Sequence, residues 1–385
     1  MSASLYVKDK RKRSKTKTSI NVKNTKKIII SHTMRVIGYK DIDRAEWSVL
    51  VKASATGTWF QTPEAYSFYE SMPELFRPFV VAVKSEELKV KSQQLRGVCV
   101  GYVTVEKSAF KQFLTRRAII IGGPCLADDC INEEVMLLLS TLREQLSTGA
   151  KAPIYIECRN FNDYSRWKSA FEKAGFAYQP HLNFHVDTSS VEVVEANLGK
   201  SRKRDIRTTI REGVSIKSIY DLRFQISDLE RERLVREYYA ILEKLYKTKV
   251  KTPLFPVEFF LELSKHKDAR FLLTELNGKI IGGTVCVAQE GKCMYEWFAC
   301  GEDGVHSHVF PSCYATYAGI RYAAEHNMPR FDMMGAGKPD EAYGVRDFKA
   351  KFGGKEVEHG RFLCVTKPLL YNMGVIGVKL LKKLK

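Results

Sequence analysis

The chain contains no Cys-x-x-Cys pair, although it has nine cysteines, at positions 99, 125, 130, 158, 286, 293, 300, 313 and 364. An odd, scattered set without zinc spacing excludes a complete disulfide framework and fits reduced thiols. His306 and His308 are spaced like a metal pair, but no third ligand lies near them in sequence. Two incidental loop histidines are the simpler reading, and no metal is expected. Neither G-x-G-x-x-G nor G-x-x-x-x-G-K-[ST] occurs, which disfavours dinucleotide and P-loop nucleotide chemistry. No apolar run reaches the about 20 residues of a membrane span. Ile28-Ile29-Ile30 is too short for a signal-peptide core, so a cytoplasmic protein is expected. Acid is also scarce, with 44 Asp and Glu against 62 Lys and Arg.

The resulting formal charge is +18. Residues 1–33 hold ten Lys or Arg and one acid, Asp9, and read as a basic disordered tail. Met34 opens the first clean domain pattern and is itself a candidate start. The rest of the chain remains basic, which suits a polyanionic partner such as RNA or an anionic membrane face, or serves solubility alone. A length of 385 residues suits two domains of roughly 150–200 residues each. Strand patterns at 34–40, 79–83, 97–105, 118–126 and 154–157 alternate with helical ones, and Phe184–Val186 closes a first unit, residues 34–187. A second unit, residues 188–368, has a basic helix at 198–211 and a capping box at Ser227 and Glu230. It continues with a hairpin turning at Asn277-Gly278, a strand at 293–300, a helix at 310–325 and a last strand at 362–365. Both units are mixed α/β. Residues 369–385 form an apolar tail with a basic end, either an interfacial helix on an anionic membrane or a helix packed on the second domain.

Several motifs recur in order. Trp59-Phe60-Gln61-Thr62 precedes Pro63 at a helix start. Gly123-Pro124 marks a turn, preceded by Gly122. The helix from Ser201 to Arg211 is basic and stops at Gly213. Tyr295 to Gly301, Pro311 and Tyr314 follow. The stretch from Phe331 to Gly354 runs from a strand into Gly335-x-Gly337, then to Phe348-Lys349 and Phe352-Gly353-Gly354. In these features residues 34–368 resemble the Fem family of non-ribosomal peptidyltransferases. That family builds the amino-acid branch of peptidoglycan precursors from aminoacyl-tRNA. The resemblance implies two tandem acetyltransferase-like (GNAT) domains. No insertion is long enough for the coiled-coil arm of some members.

The resemblance implies that Lys349 stabilises the charge developing on the attacked carbonyl, with Phe348 as a dry wall beside it. Read without it, Lys349 is a solvated lysine in a Lys-rich turn. Arg204, Arg207 and Arg211 share a helix face and suit the pyrophosphate of a nucleotide- or lipid-linked acceptor. A solvated face is the alternative. Tyr295 and Trp297 alternate on one strand face, lining the acceptor channel or forming core. Gly335 sets loop geometry near the substrate. Asp128 stands near an acid of the family's first domain and otherwise caps the next helix. No cofactor is implied. The donor is aminoacyl-tRNA, or else acyl-CoA, whose usual phosphate-binding loop is not found. The acceptor is a lipid- or UDP-linked peptidoglycan precursor, with peripheral contact to the inner membrane face. An acyl-CoA N-acyltransferase of surface polysaccharide or lipid synthesis is the alternative function.

Overall fold

A computed structural model describes residues 32–87, 93–149, 151–250 and 253–383. The basic tail expected at residues 1–33 lies almost wholly outside the described residues. Two mixed sheets form the frame. The first is built from β1 (His32–Gly38), β2 (Phe76–Glu87), β3 (Gln93–Thr104), β4 (Ala118–Gly122), β5 (Cys125–Leu126), β6 (Tyr155–Asn160), β7 (Ala177–Gln179) and β15 (Arg361–Val365). Its order is β1-β2-β3-β4-β6-β15-β7, with β5 also on β3. The second comprises β8 (Leu182–Asp187), β9 (Ser215–Ser218), β10 (Ala269–Leu276), β11 (Lys279–Gln289), β12 (Cys293–Gly301), β13 (Arg330–Gly335) and β14 (Lys355–Glu358). Its order is β14-β8-β13-β12-β11-β10-β9.

A division of the chain near residue 187 places one strand of each unit on the wrong side. The segment expected to close the first unit, Phe184–Val186, belongs to β8, which pairs with β13 and β14 in the second sheet. The segment expected to end the second, Phe362–Val365, belongs to β15, which inserts between β6 and β7 of the first. Burial explains both. Leu182, Phe184 and Val186 pack with Phe331 and Phe352 of the second half. Phe362 stacks on Phe171 of the first, ring centroids 4.0 Å apart.

Each sheet has a helical layer on its outer face. Helix Asn132–Ser147 buries Val135, Leu138, Leu139 and Leu142 against the first sheet, at the helical spacing the sequence shows. Helix Pro311–Glu325 buries Ile320 and Ala323 against the second. The inner faces share one core. Val100, Ile119 and Ile121 of the first sheet join Leu273, Val285 and Tyr295 of the second in a single cluster. Its centre is aromatic: Phe60 lies 5.7 Å from Phe161, 5.5 Å from Tyr295 and 5.0 Å from Trp297, all edge-on. Edge-on pairs add about 0.5–1.5 kcal/mol each beyond the area they bury.

Local chemistry accounts for the motif around residue 61. The Thr62 hydroxyl caps helix Pro63–Glu70 by accepting from Ala65 N at 3.1 Å. Gln61, fully buried, donates to Val100 O (3.0 Å) and Ile121 O (2.9 Å) and accepts from Val100 N (2.8 Å). It satisfies backbone groups that β3 and β4 leave open as they diverge. The Asn277-Gly278 turn joins β10 to β11, with both residues at positive φ. All nine cysteines are free and buried. The longest described helix, Asp228–Leu245, packs into the shared core through Leu234, Val235, Tyr238 and Leu242 and is no coiled-coil arm. No helix among the described residues is long and apolar enough to cross a membrane.

Candidate active site

A cavity of about 660 Å³ lies between the halves. Its origin is a difference between two parallel strand pairs. In the first sheet β4 and β6 stay paired over five residues, from Ala118 opposite Ile156 to Gly122 opposite Asn160. In the second, β12 and β13 pair only at Met294 with Phe331 and Tyr295 with Asp332. Beyond that point the strands part. Glu296, Trp297 and Phe298 line the cavity from one strand, and Met333, Met334 and Gly335 from the other. Trp297 is the extra residue of a β-bulge, since Val285 faces Phe298 while Cys286 faces Glu296. Bulges re-aim side chains and are enriched beside active sites.

Lys349 occupies the opening. Helix Gly344–Ala350 carries its ammonium to the end of β13. There it donates to Met333 O and, at 2.9 Å, to Gly335 O. An ammonium has three donors, so one remains for the cavity that Lys349 lines. Burial lowers its pKa, while Glu296 and Asp332 act in the opposite direction. Asp332 fixes the strand end, accepting from Met334 N at 2.7 Å. Met334 itself has φ of 58°, an uncommon conformation for a non-glycine residue.

Glu296 faces the same cavity and is not among the residues the sequence points to. It is buried, and its Oε1 accepts from Thr284 (3.1 Å) and Thr316 (2.8 Å). Oε2 stays available to a cavity group. Burial raises its pKa against the opposing effects of Lys349, Thr316 and Thr284. An acid between Tyr295 and Trp297 in an otherwise apolar strand is the signal that marks it.

The facing wall comes from the first sheet and is cationic. Arg117, Arg159, Arg361 and His181 line it. Glu157 bridges Arg159 (2.9 Å) and Arg361 (2.8 Å). Burial would raise the Glu157 pKa, but the two guanidinium groups hold it at about 2. Burial and then the adjacent Arg361 lower the His181 pKa to about 3, so the imidazole is neutral at pH 7 and accepts from Arg361 at 2.8 Å. The alternation of Glu157 with Arg159 on one strand is legible in sequence. The arrival of Arg361 depends on the strand exchange.

The residues expected at the site divide. Lys349, Gly335 and Trp297 line the cavity. Tyr295 does not: it is fully buried between Phe60 and Phe161, on the same inner face as Trp297, whose ring also meets Phe60, so it forms core. Phe348 turns the other way, under Arg202 (4.5 Å) and beside Phe352, since consecutive helix residues point about 100° apart. It forms no wall of the cavity. Arg204, Arg207 and Arg211 are exposed and outside the cavity. Helix Lys200–Arg211 packs through Asp205, Ile206 and Thr209, which turns the three arginines to solvent. Asp128 accepts from Ala55 N at 2.8 Å and borders a separate small cleft, so it fastens a loop away from Lys349.

Known proteins share the fold that holds this cavity. Residues 200–349 match the family described as acetyltransferase (GNAT) domain. The structure is similar to a crystal structure of FemX, with TM-score 0.63 and 12% identity over 88% of this chain and 99% of that one. It is similar also to the C-terminal domain of a putative lysylphosphatidylglycerol synthetase from Agrobacterium fabrum, with TM-score 0.53 and 12% identity over 88% and 96%. No curated protein matches the sequence. Residues 200–349 therefore match a GNAT acetyltransferase domain, and the chain as a whole has the fold of FemX.

Proposed function

We propose that the chain transfers an amino acid from aminoacyl-tRNA to an amine of a peptidoglycan precursor. One observation carries the reading: a buried ammonium with one open donor beside a buried carboxylate, in a cleft between parting strands whose opposite wall is cationic. The likeness in fold to FemX and to a putative lysylphosphatidylglycerol synthetase domain supports the class of donor.

In this reading Glu296 Oε2 takes the proton from the acceptor ammonium. The neutral amine then attacks the ester carbonyl, and Lys349 donates to the oxyanion that forms. That attack forms the C–N bond; collapse of the oxyanion then breaks the ester C–O bond, the surplus proton on nitrogen passes to the leaving tRNA oxygen, and Glu296 returns its own proton to solvent. Preorganised donors of this kind act where charge appears in the transition state. Arg117, Arg159 and Arg361 suit an anionic group on the substrate. The exposed Arg204, Arg207 and Arg211 suit the phosphate backbone of the donor, whose capture needs no base-specific contact. The test is incubation with mixed charged tRNA and a lipid-linked precursor, with the product read by mass spectrometry. Absence of a branched product across all amino acids overturns the reading. The match to an acetyltransferase family favours acyl-CoA as the second reading, and product formation from acyl-CoA without tRNA would establish it.

The carboxylate–ammonium pair sets the pH dependence. Activity should fall on the acid side as Glu296 protonates, above the ordinary glutamate range because burial raises its pKa. On the alkaline side it should fall as Lys349 loses its proton. Glu296 raises the Lys349 pKa. Glu296→Gln should therefore remove the acid limb and move the alkaline limb to lower pH. A kcat–pH profile in which both limbs are unmoved would exclude Glu296 from the chemistry.

A further inference from the structure

The cavity rim carries an apolar surface that the chemistry above does not use. Helix Ala109–Thr115 is bracketed in sequence by lining residues, Thr104 to Glu106 before it and Arg117 after it. Thr104 N donates to Arg117 O at 3.0 Å, closing the bracket. Glu106 is exposed, so the cavity meets solvent here. Phe110, Phe113 and Leu114 share one face of that helix and are 73%, 54% and 41% exposed.

Helix Pro368–Lys383 leaves from the same edge. The parallel strands β4 and β6 begin together, and β15, antiparallel to β6, ends with Val365 opposite Tyr155. Ile154 ties the two helices' roots. Its N–H donates to Arg116 O (2.8 Å), and its carbonyl accepts from Thr366 N (3.0 Å) and Lys367 N (3.1 Å). Leu369, Met373 and Ile376 recur at four and three residues and are exposed. Residues 107–117 hold four basic side chains and no acid, and residues 366–385 hold five lysines and no acid.

We propose that these two helices seat the chain on an anionic lipid bilayer with the cavity rim against the headgroups. Two short apolar stripes in segments whose sequence carries lysine and arginine but no acid match the interfacial helix pattern, and the charge complements an anionic leaflet. A partner helix would call for a groove, and the stripes are convex helix faces. If the proposed transfer reaction holds, the acceptor enters from the membrane side, which makes it a lipid-anchored molecule rather than a soluble nucleotide-linked one.

The test is co-sedimentation of the full chain with vesicles of phosphatidylglycerol in phosphatidylcholine, against phosphatidylcholine alone. Wild type should bind the anionic vesicles preferentially. Phe110→Ser/Phe113→Ser/Leu114→Ser and Leu369→Ser/Met373→Ser/Ile376→Ser should each weaken binding about tenfold or more, with the melting temperature as a folding control. Equal binding by both variants overturns the proposal, as does failure of wild type to bind. So does a dimer, seen by light scattering, that the variants dissociate while vesicle binding persists. Vesicle binding needs neither donor nor acceptor, so it stands or falls apart from the assigned reaction. Within that reaction, the same variants should lose transfer to a vesicle-borne acceptor and keep transfer to a soluble one.

Discussion

Lys349→Met should lower kcat by about 10²–10³-fold while leaving KM within a few-fold, the pattern of a donor used only in the transition state. The methionine keeps most of the side chain's volume, so the cavity wall survives. It cannot donate to Met333 O and Gly335 O, which Lys349 holds. Leaving buried carbonyls unpaired costs about 1–3 kcal/mol of stability, so the melting temperature must be followed alongside the rate. Lys349→Arg separates the two roles. A guanidinium keeps charge and donors but places them differently, and it should restore stability more fully than turnover. A Lys349→Met enzyme that is destabilised yet retains wild-type kcat would reduce the lysine to a fastener of the strand end.

Phe60→Ala should destabilise the chain by about 3–5 kcal/mol, the range for a large aromatic removed from a packed interior. Phe60 is 1% exposed and touches rings from both halves. Its loss opens a void where Phe161 meets Trp297, so the cavity geometry should loosen along with the fold. Thermal unfolding should show one transition, shifted as a whole, because both sheets contribute to the same cluster. Two transitions of which one stays in place would show that the halves melt independently.

Much of this was legible in the residues. Helical spacing gave helix 132–147 its buried face, Thr62-Pro63 gave a helix start, and Asn277-Gly278 gave a hairpin, because each is decided by contacts within a few residues. The position of Lys349 at a cavity followed from a resemblance to a family, since nothing local separates it from Lys351 or Lys355. What local pattern could not supply depended on partners distant in sequence. The cationic wall requires Arg361 to lie beside Arg159, and that pairing is made by a strand inserted across the chain. Alternation placed Tyr295 with Trp297, and both do meet Phe60, but which of them reaches the cavity is decided by the rings packed around them from the other half. The arginines of helix 200–211 share the face the spacing indicates, yet which face meets solvent is fixed by packing on helix 311–325. Glu296 was in plain view as an acid in an apolar strand, and its meaning appears only once Thr284, Thr316 and Lys349 surround it.

The exchange of β8 and β15 also bears on how the protein is made. During synthesis β6 and β7 emerge early, yet the strand that sits between them is translated near residue 361, after almost the whole second sheet. The amino-terminal sheet must wait with an unfilled slot, so its final closure is post-translational for that region, however quickly its helices form. Cutting the gene near codon 187 would strand β8 without its sheet and leave that slot permanently vacant, and the two pieces should refold only when mixed.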